Sequence, residues 1–295
     1  MHHPALTGSG AADERGWLMD EKWREVGDRV FVRRHASLDL NVGLIVGASA
    51  CAVVDTRLSH AQGRDLVAAV RRVTQLPWLV VNTHGHYDHC FGNAMFLPSD
   101  IWGHERAVRM LAAHGEIKRR YFQRGLPELD EVVITPPNRT LNIAATLDLG
   151  GRTIGLRHLG LGHTDNDIVV EVPDAAVVFA GDLVEEGAPP VFNDSFPLDW
   201  PSTLDALAAT VDGAVVPGHG DVVDRAYVEE QSALLDAVAT AARTAYHTGQ
   251  EPELPLPPEF ARVALDRAYR QLRGDPPNES ADELRRRLDI PQEPA

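Results

Sequence analysis

A short apolar run, Trp78-Leu79-Val80-Val81, leads without interruption into Asn82-Thr83-His84-Gly85-His86-Tyr87-Asp88-His89. Pro77 separates it from the helical pattern before it, so the run reads as a fully buried strand. A histidine-rich loop therefore sits at the C-terminal end of a buried strand, where open α/β sheets gather their ligands. His84, His86, Asp88 and His89 place four good ligands within six residues. Such a cluster either converges on a cation or splays outwards as a solvated loop. Imidazole and carboxylate together suit zinc, iron or manganese better than a soft thiolate site would.

Three more ligand types share this setting. His163 follows a strand predicted over Thr153–His158, Asp182 follows one over Ala176–Ala180, and His219 follows one over Ala214–Val216. Each stands beside glycine, which lets backbone and metal approach closely. Elsewhere, Val30–Arg33, Val42–Val46, Ala50–Asp55, Thr146–Leu149 and Ile168–Val172 read as strands, with Gly150-Gly151 as a hairpin turn. Ser59–Thr74 carries Leu66, Val67, Val70 and Val73 at helical spacing, and Glu105–Arg124, Pro201–Val211 and Asp221–Thr248 also read as helices. Pro136-Pro137 marks a break. The alternation predicts an α/β fold, with two mixed β-sheets sandwiched between layers of helices.

Taken in order, Asp55, His84-x-His86-x-Asp88-His89, His163, Asp182 and His219 resemble the complete signature of the metallo-β-lactamase superfamily, from roughly Val30 to Asp224. The resemblance implies an αβ/βα sandwich with two metal ions at one edge of the sheets. It implies zinc, with iron or manganese as alternatives. His84, His86 and His163 would bind the first ion, Asp88, His89 and His219 the second, and Asp182 both. Asp55 would orient a ligand without touching metal. Asp182 and His89 match the glyoxalase II, lactonase, nuclease and alkylsulfatase branches, whereas true β-lactamases of this fold usually lack the bridging aspartate. His86 stands where the flavin-linked diiron branch has glutamate. The implied reaction is hydrolysis, with a metal-bridging hydroxide attacking an ester, thioester or lactone carbonyl and Asp88 passing a proton to the leaving group.

Composition bounds the alternatives. Lys and Arg number 28 against 43 acids, a formal charge of −15, and that field repels a nucleic acid. Lys118-Arg119-Arg120 reads as a solvated helix face. No apolar run approaches the ~18 residues that a membrane span needs, and the two cysteines, Cys51 and Cys90, point to a reducing, cytoplasmic setting. The expected partner is a small molecule, with no nucleic acid and no membrane. A phosphodiesterase or nuclease, a mononuclear-iron persulfide dioxygenase and a non-catalytic metal-binding protein are the competing functions.

Residues 1–16 are expected to be a flexible tail, 17–249 the catalytic domain, and 250–295 a proline-rich linker with a C-terminal helical tail. Arg262, Arg267, Arg270 and Arg273 in that tail have the spacing of a solvated face. Tyr87 could pack or line a pocket, and Cys90 reads as simply buried. Trp102, Tyr121 and Phe122 belong to a segment that covers substrate in this family, although core packing is the plainer reading of each. The loop Val191–Trp200 is a candidate for shaping the pocket.

Overall fold

The computed structural model describes residues 22–276 and 278–291; the tail expected over 1–16 lies outside them. The first half of the chain forms β1 (Arg24–Gly27), β2 (Val30–His35), β3 (Leu40–Val46), β4 (Cys51–Val54), α1 (His60–Val73), β5 (Trp78–Val81), α2 (Tyr87–Cys90), β6 (Ile101–His104), α3 (Glu105–Met110), α4 (Glu116–Gln123) and β7 (Arg139–Leu141). The second forms β8 (Ala144–Asp148), β9 (Thr153–Arg157), β10 (Val169–Val172), β11 (Val177–Glu185), α5 (Trp200–Ala208), β12 (Ala214–His219), α6 (Arg225–Thr248), α7 (Pro258–Arg273) and α8 (Ala281–Leu288).

The strands run β7-β6-β5-β4-β3-β12-β11-β10-β9-β8, with β2 also paired to β3 and β1 to β2. The two halves join between β3 and β12 through one residue pair, Leu40 with His219. Elsewhere the neighbours zip over several residues, as β3 does with β2 and β4. The result is two sheets meeting along one edge and packed face to face.

Side-chain alternation decides what each face buries. On β4, Ala52 and Val54 point into the space between the sheets, where they meet Ile154, Leu156, Val170 and Phe179 of the second half. Cys51 and Val53 point the other way, onto Leu66 and Val70 of α1. On the outer side of the second sheet, Val178 and Ala180 pack with Trp200, Leu204, Leu235 and Val238 of α5 and α6.

Local signals explain the element ends. Ser59 caps α1, its hydroxyl accepting from the Gln62 N–H at 3.2 Å. Asp148 accepts from the N–H groups of both Gly150 and Gly151 at 2.9 Å, and both glycines have positive φ, closing the β8–β9 hairpin. Val73, counted among the apolar stripe of α1, is 38% exposed because it falls at the end of the helix, past the last turn that meets the sheet. The helix expected over Glu105–Arg124 is present but broken by a π turn at Leu111–Gly115. Strands β1, β6 and β7 were not foreseen; each is three or four residues long and lacks the continuous apolar run that marks β5.

After residue 250, α7 packs on α6, and its Arg267 is buried rather than solvated, with Nε donating to the Ser195 carbonyl at 2.9 Å. The α8 helix opens with a reciprocal cap between Ser280 and Glu283 and lays Leu284 against Ile117 of α4. Among the described residues no helix is long and apolar enough to cross a membrane.

Ile154 is 0% exposed between the sheets, whereas Ile143, a strand earlier, is 77% exposed. Ile154→Ala is expected to cost about 2–5 kcal/mol in urea unfolding, and Ile143→Ala about 0.5 or less. Equal losses would mean that the inter-sheet layer is not the main core.

Candidate metal centre

All seven ligand-type residues converge at the edge where the two sheets join. The loop after β5 delivers His84 and His86, and the single turn of α2 carries Asp88 and His89. His163 comes from the loop between β9 and β10. Asp182 and His219 lie within their strands rather than after them: β11 runs on to Glu185 and β12 to His219. The extension reflects the β11–β12 pairing, which continues past a register shift at Gly181. Gly218 is required here, since a Cβ at that position would fall 1.8 Å from Asp182 Oδ1.

Two groups of donor atoms result, each within a span of 4.8 Å: His84, His86, His163 and Asp182, then Asp88, His89 and His219. In the first, His86 Nδ1 and His163 Nε2 are 3.0 Å apart, and Asp182 Oδ2 lies 3.6 Å from His84 Nε2 and 3.5 Å from His163 Nε2. In the second, Asp88 Oδ2 lies 3.4 Å from His219 Nε2 and 3.7 Å from His89 Nε2. Asp182 also touches this group, with Oδ1 at 3.1 Å from His89 Nε2 and Oδ2 at 3.5 Å from His219 Nε2.

Behind the cluster, acceptors fix the far nitrogen of each ring. Asp55, held at φ 64° after β4, accepts from the Thr83 N–H and hydroxyl at 2.8 Å and from His89 Nδ1 at 2.9 Å. With its proton committed to Asp55, the Thr83 hydroxyl accepts from His84 Nδ1 at 3.1 Å, leaving the His84 Nε2 lone pair facing the cluster. His219 Nδ1 donates to the Leu38 carbonyl at 2.7 Å, and His163 Nδ1 lies 3.3 Å from Glu185 Oε1. His86 is turned the other way: its Nε2 meets both oxygens of Asp194 at 3.0 Å, and Lys118 Nζ holds Asp194 at 3.1 Å. The far nitrogens fixed in this way leave five near nitrogens aimed at one small space.

The residues fit a cation. His84 Nε2 and Asp182 Oδ1 are buried and make no hydrogen bond among the described residues. Nitrogens 3.0–3.3 Å apart face each other with no shared donor to explain them unless protons or metal ions lie between. Burial pushes His84 well below its usual range, with His89 adding to the effect. Burial also opposes charge on Asp182 and Asp88, yet His89 and His219 outweigh it and hold both carboxylates below the usual range. The donor set, five imidazoles and two carboxylates, is that of zinc or a first-row neighbour.

A cavity of about 560 Å³ opens over the cluster, with Asp88, Asp182, His86, His163 and His219 on its floor. The sequence reading missed Glu185. Strand alternation sends residues 182 and 185 to opposite faces, and only the register shift in β11 brings both to the centre. Asp194 was covered only as part of its loop. Lys118 is drawn into the site by Asp194 instead of lying on a solvated face. Tyr121 and Phe122 line the cavity, with Phe122 stacked on Tyr87 at 4.1 Å, while Trp102 packs against the inter-sheet core. Cys90 is buried, its Sγ on the His86 carbonyl at 3.1 Å, and Cys51 is also a free, buried thiol, pushed up to about 11 by burial.

Known proteins share this architecture. A family model described as the metallo-beta-lactamase superfamily matches residues 38–219. The chain is 26% identical over 203 residues to a metallo-beta-lactamase type 2 of Bacteroides fragilis, covering 65% of this chain and 74% of that protein. It is 25% identical over 194 residues to a protein of the same name from Bacillus cereus, covering 62% and 68%. Among solved structures, a metallo-beta-lactamase from Pontibacter korlensis superposes with a TM-score of 0.61 at 18% identity, over 73% of this chain and 98% of that one. A double mutant of the sec-alkyl sulfatase PisA1 superposes with a TM-score of 0.69 at 16% identity, over 88% of this chain and 51% of that one. The structural likenesses concern the fold alone. The matched region, residues 38–219, takes in the strand join at Leu40 and every ligand-type residue of the cluster, and on that ground the chain belongs to the metallo-beta-lactamase superfamily, a hydrolytic family.

Proposed function

We propose that this protein is a zinc-dependent hydrolase that holds two metal ions and opens a carbonyl ester, thioester or lactone of small-molecule size. The observation that carries the reading is the position of Asp182. One carboxylate touches imidazoles of both donor groups at 3.1–3.6 Å. His84, His86 and His163 would hold one ion, Asp88, His89 and His219 the other, and Asp182 both. When bound, the pair supplies a water of lowered pKa and polarises the carbonyl oxygen.

The chain's own residues do the rest. Asp55, Glu185, Asp194 and the Leu38 carbonyl hold the imidazoles in the tautomers that present lone pairs. Asp88 lines the cavity floor. Kept ionised by His89 and His219 against its burial, it can take a proton at its carboxylate and pass it to the departing oxygen or sulfur. The ring of carboxylates around the cavity weighs against phosphodiesters, as does the overall charge of −15. A second reading, opening of a β-lactam amide, is favoured by the names of the relatives.

Acid release by the zinc-loaded protein from lactones, thioesters, carboxylic esters, a phosphodiester and a chromogenic cephalosporin separates these readings. Turnover of one carbonyl class, abolished by Asp182→Ala, is expected. Turnover of the cephalosporin alone would replace the ester reading, and silence throughout would remove hydrolysis. Asp88→Asn is expected to lower kcat by about 10²–10⁴, and a variant that keeps both metals and full turnover would remove the proton-transfer role.

Acid should weaken metal uptake. Burial opposes protonation of His89, His163 and His219, but the surrounding carboxylates outweigh it and raise all three, His163 to about 9. These protons occupy nitrogens that a metal needs, so affinity falls as pH drops below that value, and uptake near pH ~7 releases protons. Chelator competition across about pH 6 to 8 should show zinc affinity rising with pH; a flat profile would contradict the assignment of these nitrogens.

A further inference from the structure

The cavity over the cluster has two kinds of lining. Its polar lining comprises Asp39, Glu185, Glu186 and Asp194, with two cations, Lys118 of α4 and Arg287 of α8. Both cations are already engaged, Lys118 with Asp194 at 3.1 Å and Arg287 with Glu279 at 2.9 Å. Its apolar lining includes a wall from the same two helices, far apart in sequence: Tyr121 and Phe122 of α4, and Leu284 and Leu288 of α8. This wall is preformed. Phe122 is stacked on Tyr87 with 23° between the rings, and Leu284 is 3% exposed in a small core with Ile117 and Ile290, where Tyr121 and Leu288 also pack.

An apolar wall rewards only apolar surface brought against it, and the carboxylates of the lining, with both of its cations already paired, disfavour an anionic tail. A volume of 560 Å³ suits a ligand well beyond the reacting group itself. We propose that the substrate carries a neutral hydrocarbon group, an alkyl or acyl chain, lying against Tyr121, Phe122, Leu284 and Leu288, and that α8 is the element that selects it. The chemistry at the carbonyl rests on the hydrolase reading above; the hydrocarbon wall does not.

The test is a homologous series, p-nitrophenyl acetate, butyrate, hexanoate and octanoate, turned over by the zinc-loaded wild type, Leu288→Glu and Leu288→Met. Leu288 is only half-buried, so the charge can be placed without opening the core. In the wild type kcat/KM should climb by about fourfold per added methylene until the wall is filled. Leu288→Met should keep that slope and Leu288→Glu flatten it. A flat series in the wild type, or equal slopes in all three proteins, overturns the proposal. Calorimetric titration of the same proteins with 1-octanol reads the wall without hydrolysis. Saturable binding lost in Leu288→Glu supports it even if no ester is turned over, whereas no binding by the wild type overturns it and leaves the hydrolase reading to the ester panel.

Discussion

Asp182 is a carboxylate at the bottom of a cavity, buried among imidazoles and touching four of them. Removing such a charge from water costs several kcal/mol, so it persists there only because positive charge meets it. Among the side chains, His89 and His219 outweigh that burial and hold the carboxylate below its usual range. With cations in place the positive charge is theirs. Much of the surrounding architecture serves this one placement: the glycine at 218 that clears space, the register shift that bends β11 toward the centre, and the acceptors that turn each ring.

Those acceptors form an ordered second layer. Thr83 illustrates the economy of it, since one hydroxyl proton serves Asp55 while its lone pair fixes His84. Asp194 differs from the others because it is itself held from the α4 helix through Lys118. The orientation of His86 is therefore tied to the helix that walls the cavity, whereas Asp55 and Glu185 are anchored in or beside the sheets.

The centre was more legible in the sequence than the walls around it. Trp78–Val81 followed by four ligands reads clearly because a buried strand is a continuous apolar run and its end is a natural ligand position. The spacing of His163, Asp182 and His219 repeats that logic, though it misjudges where β11 and β12 end. Glu185 was invisible because period-2 reasoning cannot see a register irregularity. Strands β6 and β7 were invisible because Ile101–His104 and Arg139–Leu141 lack the apolar run that marks β5. Tyr121, Phe122 and α8 were ambiguous for another reason: an amphipathic stripe says that a helix covers something, without saying what. Lys118 looked like one charge in a basic run, and only the distant Asp194 gives it a different place.

The join between the halves carries a final consequence. In the strand ladder the two halves are joined at a single residue pair, Leu40 with His219. His84, His86, Asp88 and His89 belong to the first half, and His163, Asp182 and His219 to the second. Neither donor group is complete within one half. Ions held here would act as cross-links across the seam, closing a loop of chain much as a disulfide does. A nascent chain with only its first half folded offers no complete group, so capture of metal would follow closure of the sheets, and a loaded centre would certify that both halves have found each other.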